Sequence, residues 1–358
     1  CLGLVLRNNG GNDLPVSANG TFTFTTLVAS GAPYAVTVFT QPATPTQTCT
    51  PTNGSANVGG SDVTVAVNCT TSTFTIGGTI TGLAGTGLVL RNNGGDNLAV
   101  AANATTFTFS TTIASGAAYA VTVFAQPTTP TQVCTVTGGG SGTVLGANVT
   151  TVAINCVTST YTIGGTITGL TGTGLVLQNN LGNNLVVAAN ATTFTFSTAI
   201  ASASAYSVTV LTQPATPTQT CTVTSGGSGT VVAANVTTVA VACVTRSFTI
   251  GGTITGLAGT GRKLRNDNNA LDESTVSGTG TVPFVFTTPV ASGAAYAVTV
   301  FAQPATPTQT CTVTAGSGTV AGANITVAVA CITLAPAPTV SFNVKRLQFT
   351  WLAVAGTN

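Results

Sequence analysis

Across 358 residues only 4% are Asp, Glu, Lys or Arg, the formal net charge is +2 and histidine is absent, while 43% are apolar. An ordinary soluble domain carries roughly a quarter charged residues and a disordered chain needs high charge with low hydrophobicity, so this composition excludes both a basic nucleic-acid-binding stripe and an unstructured chain. It also excludes a His-based triad or general base, and no run of about 20 apolar residues offers a membrane-spanning helix.

The polar share is Thr, Ser, Asn, Gln and Gly, which suits strands with hydroxyl surfaces and glycine or asparagine turns. Low charge weakens repulsion between copies, so self-association, as a homopolymer or through lateral contacts, is expected. Neither a signal peptide nor an initiator Met is present, and the chain reads as a processed or excised piece of a longer product.

The chain is four copies of one unit. The segment Phe74 to Leu83 returns at 161–170 and 248–257, a period of 87 residues, and an Ala-Tyr-Ala-Val-Thr-Val motif or close variant ends at Val38, Val123, Val210 and Val300. A period this long gives one small domain per copy, with expected boundaries 1–72, 73–159, 160–246 and 247–333 and a remainder of 334–358. The first unit opens at Cys1-Leu-Gly-Leu-Val-Leu6 and lacks the whole first strand that the others begin with.

In the second unit, residues 73–81 alternate Phe74, Ile76 and Ile80 with Thr around Gly77-Gly78, predicting a strand with a bulge. A turn at 82–87 leads to a short buried strand at 88–90. The run 92–97 carries an Asn-Gly turn signal, and a strand resumes over 98–102. Residues 106–110 alternate cleanly, Ser115-Gly116 turns the chain, and Tyr119, Val121 and Val123 share one face of the next strand. A Pro-containing connection at 126–132 precedes a strand at 133–136, a glycine loop at 138–142 and a last strand at 149–156. No helical periodicity interrupts this series. Seven or so short strands in about 87 residues predict an all-β chain of tandem β-sandwiches.

Nine cysteines include Cys1 and one close pair per unit: Cys49 with Cys69, Cys134 with Cys156, Cys221 with Cys243, and Cys311 with Cys331. Zinc would need four ligands at shorter spacings, usually with His, so the pairs read as disulfides tying each last strand to an earlier one across the glycine loop. Persistent disulfides imply an oxidising compartment.

The segments 18–24 and 29–38, Ala-Asn-Gly-Thr-Phe-Thr-Phe followed by Ala-Ser-Gly-Ala-Pro-Tyr-Ala-Val-Thr-Val, resemble the core of Cna-B-type and carboxypeptidase-regulatory-like sandwich domains. The whole unit, from Gly77 to Leu83 through 147–152 to Cys156, is similar to a disulfide-bearing repeat of bacterial surface proteins and lipoproteins, over residues 1 to about 333. The resemblance implies tandem Ig-like (Cna-B/prealbumin-like) sandwiches in an elongated rod, a bacterial envelope setting and a spacer or adhesion role without chemistry. Cna-B domains often hold a Lys–Asn isopeptide crosslink. The first three units contain no Lys, so that crosslink is excluded there and the disulfide takes its mechanical place.

In the tail, Leu334-Ala-Pro-Ala-Pro338 reads as a stiff linker, and 340–358 resembles the opening strands of a fibronectin type III domain. One expectation for 340–354 is donation into the groove of another copy's incomplete first unit; the other is that the chain is a slice of a longer protein. Cys1 reads alternatively as an acylated lipoprotein terminus.

Few side chains suit a site. The six acids are Asp13, Asp62, Asp96, Asp267, Asp272 and Glu273, and the third unit has none. Asp272-Glu273 reads as a solvated loop rather than a cation site. Residues 256–263 superficially resemble a phosphate loop, yet Arg262 stands where Lys is required and Leu264 follows Lys263. Arg262, Lys263 and Arg265 form the densest charge in the chain, a place for a weak anionic contact. Asn-x-Thr/Ser triplets at Asn19, Asn103, Asn148, Asn190, Asn235 and Asn324 read as products of Thr-rich composition rather than glycosylation acceptors.

Phe39, Phe124, Leu211 and Phe301 recur out of phase with the inward residues of their strands. They are expected either to lie under the neighbouring Gln-Pro loop or to contact another domain or chain. With Cys1, Phe349 and Trp351 they make the candidate interface. The expectation is a non-enzymatic, cofactor-free structural protein, extracellular or on the bacterial cell surface, acting as stalk or filament subunit. The alternative is an adhesin recognising a glycan or another surface protein through its loops.

Overall fold

The computed structural model describes residues 2–266 and 272–335, and every regular element among them is a strand. In the second repeat the chain forms two four-stranded sheets. The first places Ile76–Thr81 between Thr106–Thr108 and Val149–Thr158, with Gln132–Gly138 at the far edge. The second runs Asp96–Ala99, Val89–Asn92, Ala118–Ala125, Ser141–Thr143. A short pair, Thr73–Phe74 with Ile113–Ala114, completes ten strands where sequence patterning predicts about seven. The additional strands are two or three residues long, too short for an alternation to register.

Alternation decides which face is buried. In Ala118–Ala125 the side chains of Tyr119 and Val121 are buried and Ala118, Ala120 and Thr122 are exposed. Ile76, Ile80, Leu88, Leu90, Phe107, Phe109, Val152 and Ile154 fill the space between the sheets, where the rings of Phe107 and Phe109 meet edge to face at 5.9 Å. The third repeat reproduces this core residue for residue, and the fourth has a cluster of its own. The chain is therefore all-β, a tandem series of Ig-like sandwiches, each with one disulfide.

The expected bulge at Gly77-Gly78 is not where the irregularity lies. The break falls at Thr75, and the register shift is in the opposite strand, between Val149 and Val152. The glycines serve close approach instead: a Cβ on Gly78 would stand 1.8 Å from the Val152 carbonyl oxygen, and one on Gly77 2.5 Å from that of Phe107. The strand therefore runs parallel to Val149–Thr158 at a separation only glycine permits.

Among the described residues the first repeat has no counterpart of Ile76–Thr81. Its second sheet is complete, as Asn12–Val16, Leu4–Asn8, Pro33–Thr40, Ser55–Asn57. Its first sheet is only Gln47–Thr52 against Ala66–Thr71. Phe22 and Phe24 still meet edge to face at 6.3 Å, but neither lies in a strand, since the described residues hold no partner strand in the place of Ile76–Thr81. The buried core shrinks to Leu4, Leu6, Tyr34, Val36 and Cys49.

Each disulfide joins directly opposed residues of two neighbouring antiparallel strands, with Cys134 facing Cys156 and Cα atoms 3.9 Å apart. It thus lies within one sheet, unlike the inter-sheet bridge of antibody domains. Between its cysteines the chain leaves that sheet, adds Ser141–Thr143 to the other and returns. Closing a loop of this size stabilises by about 3 kcal/mol. Replacing Cys221 and Cys243 together by Ala is expected to lower the third repeat's calorimetric transition by about 10 °C or more, leaving the other repeats within a degree or two. An unchanged scan would remove the disulfide from the stability of the fold.

Candidate functional site

On the outer face of the second sheet, Phe39, Phe124 and Phe301 are about half exposed. The guanidinium groups of Arg7, Arg91 and Arg265 lie over their rings at 3.2, 3.3 and 3.4 Å. The Gln-Pro loop does not cover them. Its glutamines turn elsewhere: Gln126 Nε2 donates to the Cys134 carbonyl at 3.0 Å and Gln126 Oε1 accepts from the Cys134 N–H at 2.7 Å. Gln41, Gln213 and Gln303 do the same beside Cys49, Cys221 and Cys311.

Each arginine is steadied by the residue opposite it on the adjoining strand: Asp13 accepts from Arg7 Nε and Nη2 at 2.5 and 2.8 Å, Asn97 from Arg91 at 2.7 Å, and Glu273 from Arg265 at 2.5 Å. Hydrogen bonding from Arg7 holds the Asp13 carboxyl below its usual range, and hydrogen bonding from Arg265, with Lys263 helping, does so for Glu273. In the third repeat Leu211 replaces the ring and Gln178 replaces the arginine, bonding Asn184 at 2.8 Å. Both halves of the stacked pair are exchanged together, as a cation–π contact worth about 0.5–1 kcal/mol requires.

The charged residues of the fourth repeat do not form the expected surface patch. Arg262 is fully buried among the hydrophobic residues, in the place taken by Leu4, Leu88 and Leu175 in the other repeats. Burial lowers its pKa. Among the described residues Nε and Nη2 have no hydrogen-bond partner, and Nη1 has only the weak acceptor Cys331 Sγ at 3.9 Å. Asp272 is also buried rather than solvated, accepting from the N–H and hydroxyl of Thr287 and the N–H of Thr288. Asp267 lies outside the described residues. No group of three or more His, Cys, Asp or Glu side chains comes together among the described residues, and no described helix is long and apolar enough to cross a membrane.

Three polar positions organise the repeats in ways that sequence patterning does not reveal. Gln132 is buried. Its Oε1 accepts from the N–H groups of Ala84 and Gly85, and its Nε2 donates to the Gly82 carbonyl and Thr158 Oγ1; Gln219 and Gln309 repeat the pattern. Asn148, Asn235 and Asn324 accept from the N–H of Thr75, Thr162 and Thr249, which gives these Asn-x-Thr triplets a structural cause.

The third position is a serine that fastens each repeat to the one before it. The N–H of Thr46, beside the Thr44–Pro45 peptide, donates to Ser115 Oγ at 2.9 Å, and Ser115 Oγ donates to the Leu145 carbonyl at 2.5 Å. The same arrangement joins Thr131 to Ser202 and Thr218 to Ser292, at 3.0 and 2.9 Å. The connecting residue bridges both sides: Ser72 donates to the Thr46 carbonyl and accepts from the Ser115 N–H, as Ser159 and Arg246 do at the next junctions. All three serines are buried. A recurring Ala-Ser before the Tyr strand was the available signal, and it reads as a turn because its partner is some 70 residues away.

Of the remaining candidate interface residues, Cys1, Phe349 and Trp351 lie outside the described residues, as does 340–354.

No known protein-family profile matches the chain, and no curated protein sequence does. Among solved structures the chain is similar to the TIE protein of Bacillus anthracis, at 11% identity and TM-score 0.42 over 92% of this chain. It spans 66% of that protein's length. It is also similar to two B repeat units of the collagen-binding protein Cna of Staphylococcus aureus, at 12% identity and TM-score 0.21, covering 93% of this chain and 94% of that one. The sandwich assignment itself rests on the paired sheets described above.

Proposed function

We propose that the chain is a structural protein of the bacterial surface or extracellular space, without catalytic activity or cofactor, in which disulfide-locked sandwiches form a stalk or filament subunit. The observation that carries this reading is the junction, made three times with the same partners at the same distances. The same joint repeated between homologous units converts repetition into defined length. Strands of 8 to 10 residues at about 3.3 Å each give repeats of roughly 30 Å, and four in line would reach on the order of 120 Å. Disulfides in every repeat favour an oxidising setting outside the cytosol.

Attachment to other surface proteins or glycans fits a stalk, and the half-exposed Phe39, Phe124, Leu211 and Phe301 are the surface offered for lateral contacts. Polymerisation through donation of 340–354 into the first repeat meets an obstacle, since the intact repeats place Gly77-Gly78 where no Cβ fits and 340–354 contains no glycine. Electron microscopy of the purified chain at nanomolar concentration tests the reading: straight particles about 120 Å long are expected, and compact globules would overturn it.

A further inference from the structure

The three internal junctions define a two-part contact, and among the described residues the first and fourth repeats each hold one part of it without its counterpart. In the first repeat Ser30 occupies the place of Ser115, Ser202 and Ser292, in the same backbone frame. Gly31 N–H donates to the Val58 carbonyl at 2.7 Å as Gly116 does to Val144, and Val58 N–H donates to Ala32 as Val144 does to Ala117. Ser30 Oγ already donates to the Gly59 carbonyl at 3.1 Å, as its counterparts donate to Leu145, Val232 and Ala321. Ser30 is exposed where its three counterparts are buried, and its N–H has no hydrogen-bond partner among the described residues.

The fourth repeat carries the other part. Its Thr306-Pro307-Thr308-Gln309 loop is held as in the earlier repeats, with Thr308 Oγ1 donating to Ala305, Gln309 N–H to Pro304 and Leu334 N–H to Thr308. Pro307 and Thr308 are exposed, whereas Pro45, Thr46, Pro130, Thr131, Pro217 and Thr218 are partly covered by the following repeat. The Thr308 N–H also lacks a partner among the described residues. One surface thus offers a serine hydroxyl oxygen and an N–H, the other an N–H and the Leu334 carbonyl. Both are already set in the geometry that closes three times within the chain.

We infer that a second copy of this chain docks head to tail, the Thr306–Gln309 loop of one copy seating on the Ser30–Gly31 and Gly59–Gly60 surface of the next. The two surfaces differ, so the contact is heterologous and leaves a free end of each kind, which extends into a filament rather than closing a dimer. The inference rests on the stalk or filament reading and specifies its joint. Within the chain, covalent linkage supplies an effective concentration of about millimolar, so the intermolecular contact is weaker in proportion and concentration-dependent.

Two substitutions block one surface each. Gly60 has open space around its Cβ direction and an ordinary φ, and its counterpart Gly146 would meet Thr46 Oγ1 at 3.2 Å across the junction, so Gly60→Arg fills the surface without disturbing the first repeat. Thr308→Arg blocks the other end, at an exposed side chain whose counterparts Thr131 and Thr218 reach across the junction to the Val232 and Ala321 carbonyls. In sedimentation equilibrium from about 10 μM to 1 mM, the full chain is expected to gain mass steadily, while each variant alone stays at the mass of one chain. An equimolar mixture of the two variants, each keeping one good surface, is expected to form dimers and nothing longer. Removing 336–358 is expected to leave association unchanged. A full chain that stays single throughout, or a Gly60→Arg variant that associates like the parent, would overturn the inference. Association lost only with 336–358 would do so in favour of strand donation. Straight single particles with no end-to-end joining would remove the joint and leave the stalk reading standing.

Discussion

Arg262→Leu is expected to stabilise the fourth repeat by about 3 kcal/mol or more, the cost of an uncompensated buried charge. The side chain is fully enclosed, two of its nitrogens lack a partner among the described residues, and three leucines fill the same place in the other repeats. For a domain of this size each kcal/mol moves the melting temperature by about 4–8 °C, so the fourth transition in a calorimetric scan should rise by more than about 10 °C. Hydrogen exchange read on peptides from 247–333 assigns the transition. The reverse change, Leu175→Arg, is expected to lower the third repeat's transition by a similar amount. If Arg262→Leu left the fourth repeat unchanged or weaker, the guanidinium would have to be satisfied in solution. The fourth repeat is by this reasoning the weakest of the three complete ones.

A methyl group in the first strand has a comparable effect of opposite sign. A Cβ on Gly165 would stand 1.8 Å from the Val239 carbonyl oxygen, within the parallel pairing that joins the two ends of the repeat. Backbone, not a mobile side chain, is what it meets, so the strands must part. Gly165→Ala is expected to cost about 3 kcal/mol, the upper end for overpacking. Gly182→Ala in the same repeat, with nothing nearer than 3.9 Å, should stay within about 0.5 kcal/mol. Chemical denaturation followed by exchange of 160–246 distinguishes them, and equal losses at the two positions would show that glycine entropy, not strand approach, sets the cost.

The parts of the fold legible in the sequence are those encoded locally. Tyr119, Val121 and Val123 alternate within one strand, glycine and proline mark its ends, and the cysteines recur at one spacing, so strands, sandwich class and one disulfide per repeat can be read directly. The polar framework cannot. Gln132 and Ser115 bond to groups 47 to 50 and 69 residues away, and in a chain rich in Ser, Thr and Gln nothing local separates them from surface residues. Arg262 misleads for the opposite reason. A cation beside Lys263 reads as solvated, and only alignment with Leu88 and Leu175 shows that it stands in a core position. The stacked Phe124 and Arg91 were half visible: the ring's phase placed it outside the core, but its cover came from a neighbouring strand, not from the loop beside it.

The disulfide within each first sheet has a consequence under tension. A chain pulled from both ends transmits force through the Cys134–Cys156 bond, so the residues between them bear none of it. With the paired cysteines 20 or 22 positions apart and a reach of about 3.3–3.6 Å per residue, each bond withholds on the order of 70 Å of slack from an unravelling domain. The strand Ser141–Thr143 sits inside that shielded ring, yet it pairs with Ala118–Ala125 outside it. A stretched repeat therefore lengthens by the residues outside the ring alone, while Ser141–Thr143 stays tethered beside the linked cysteines.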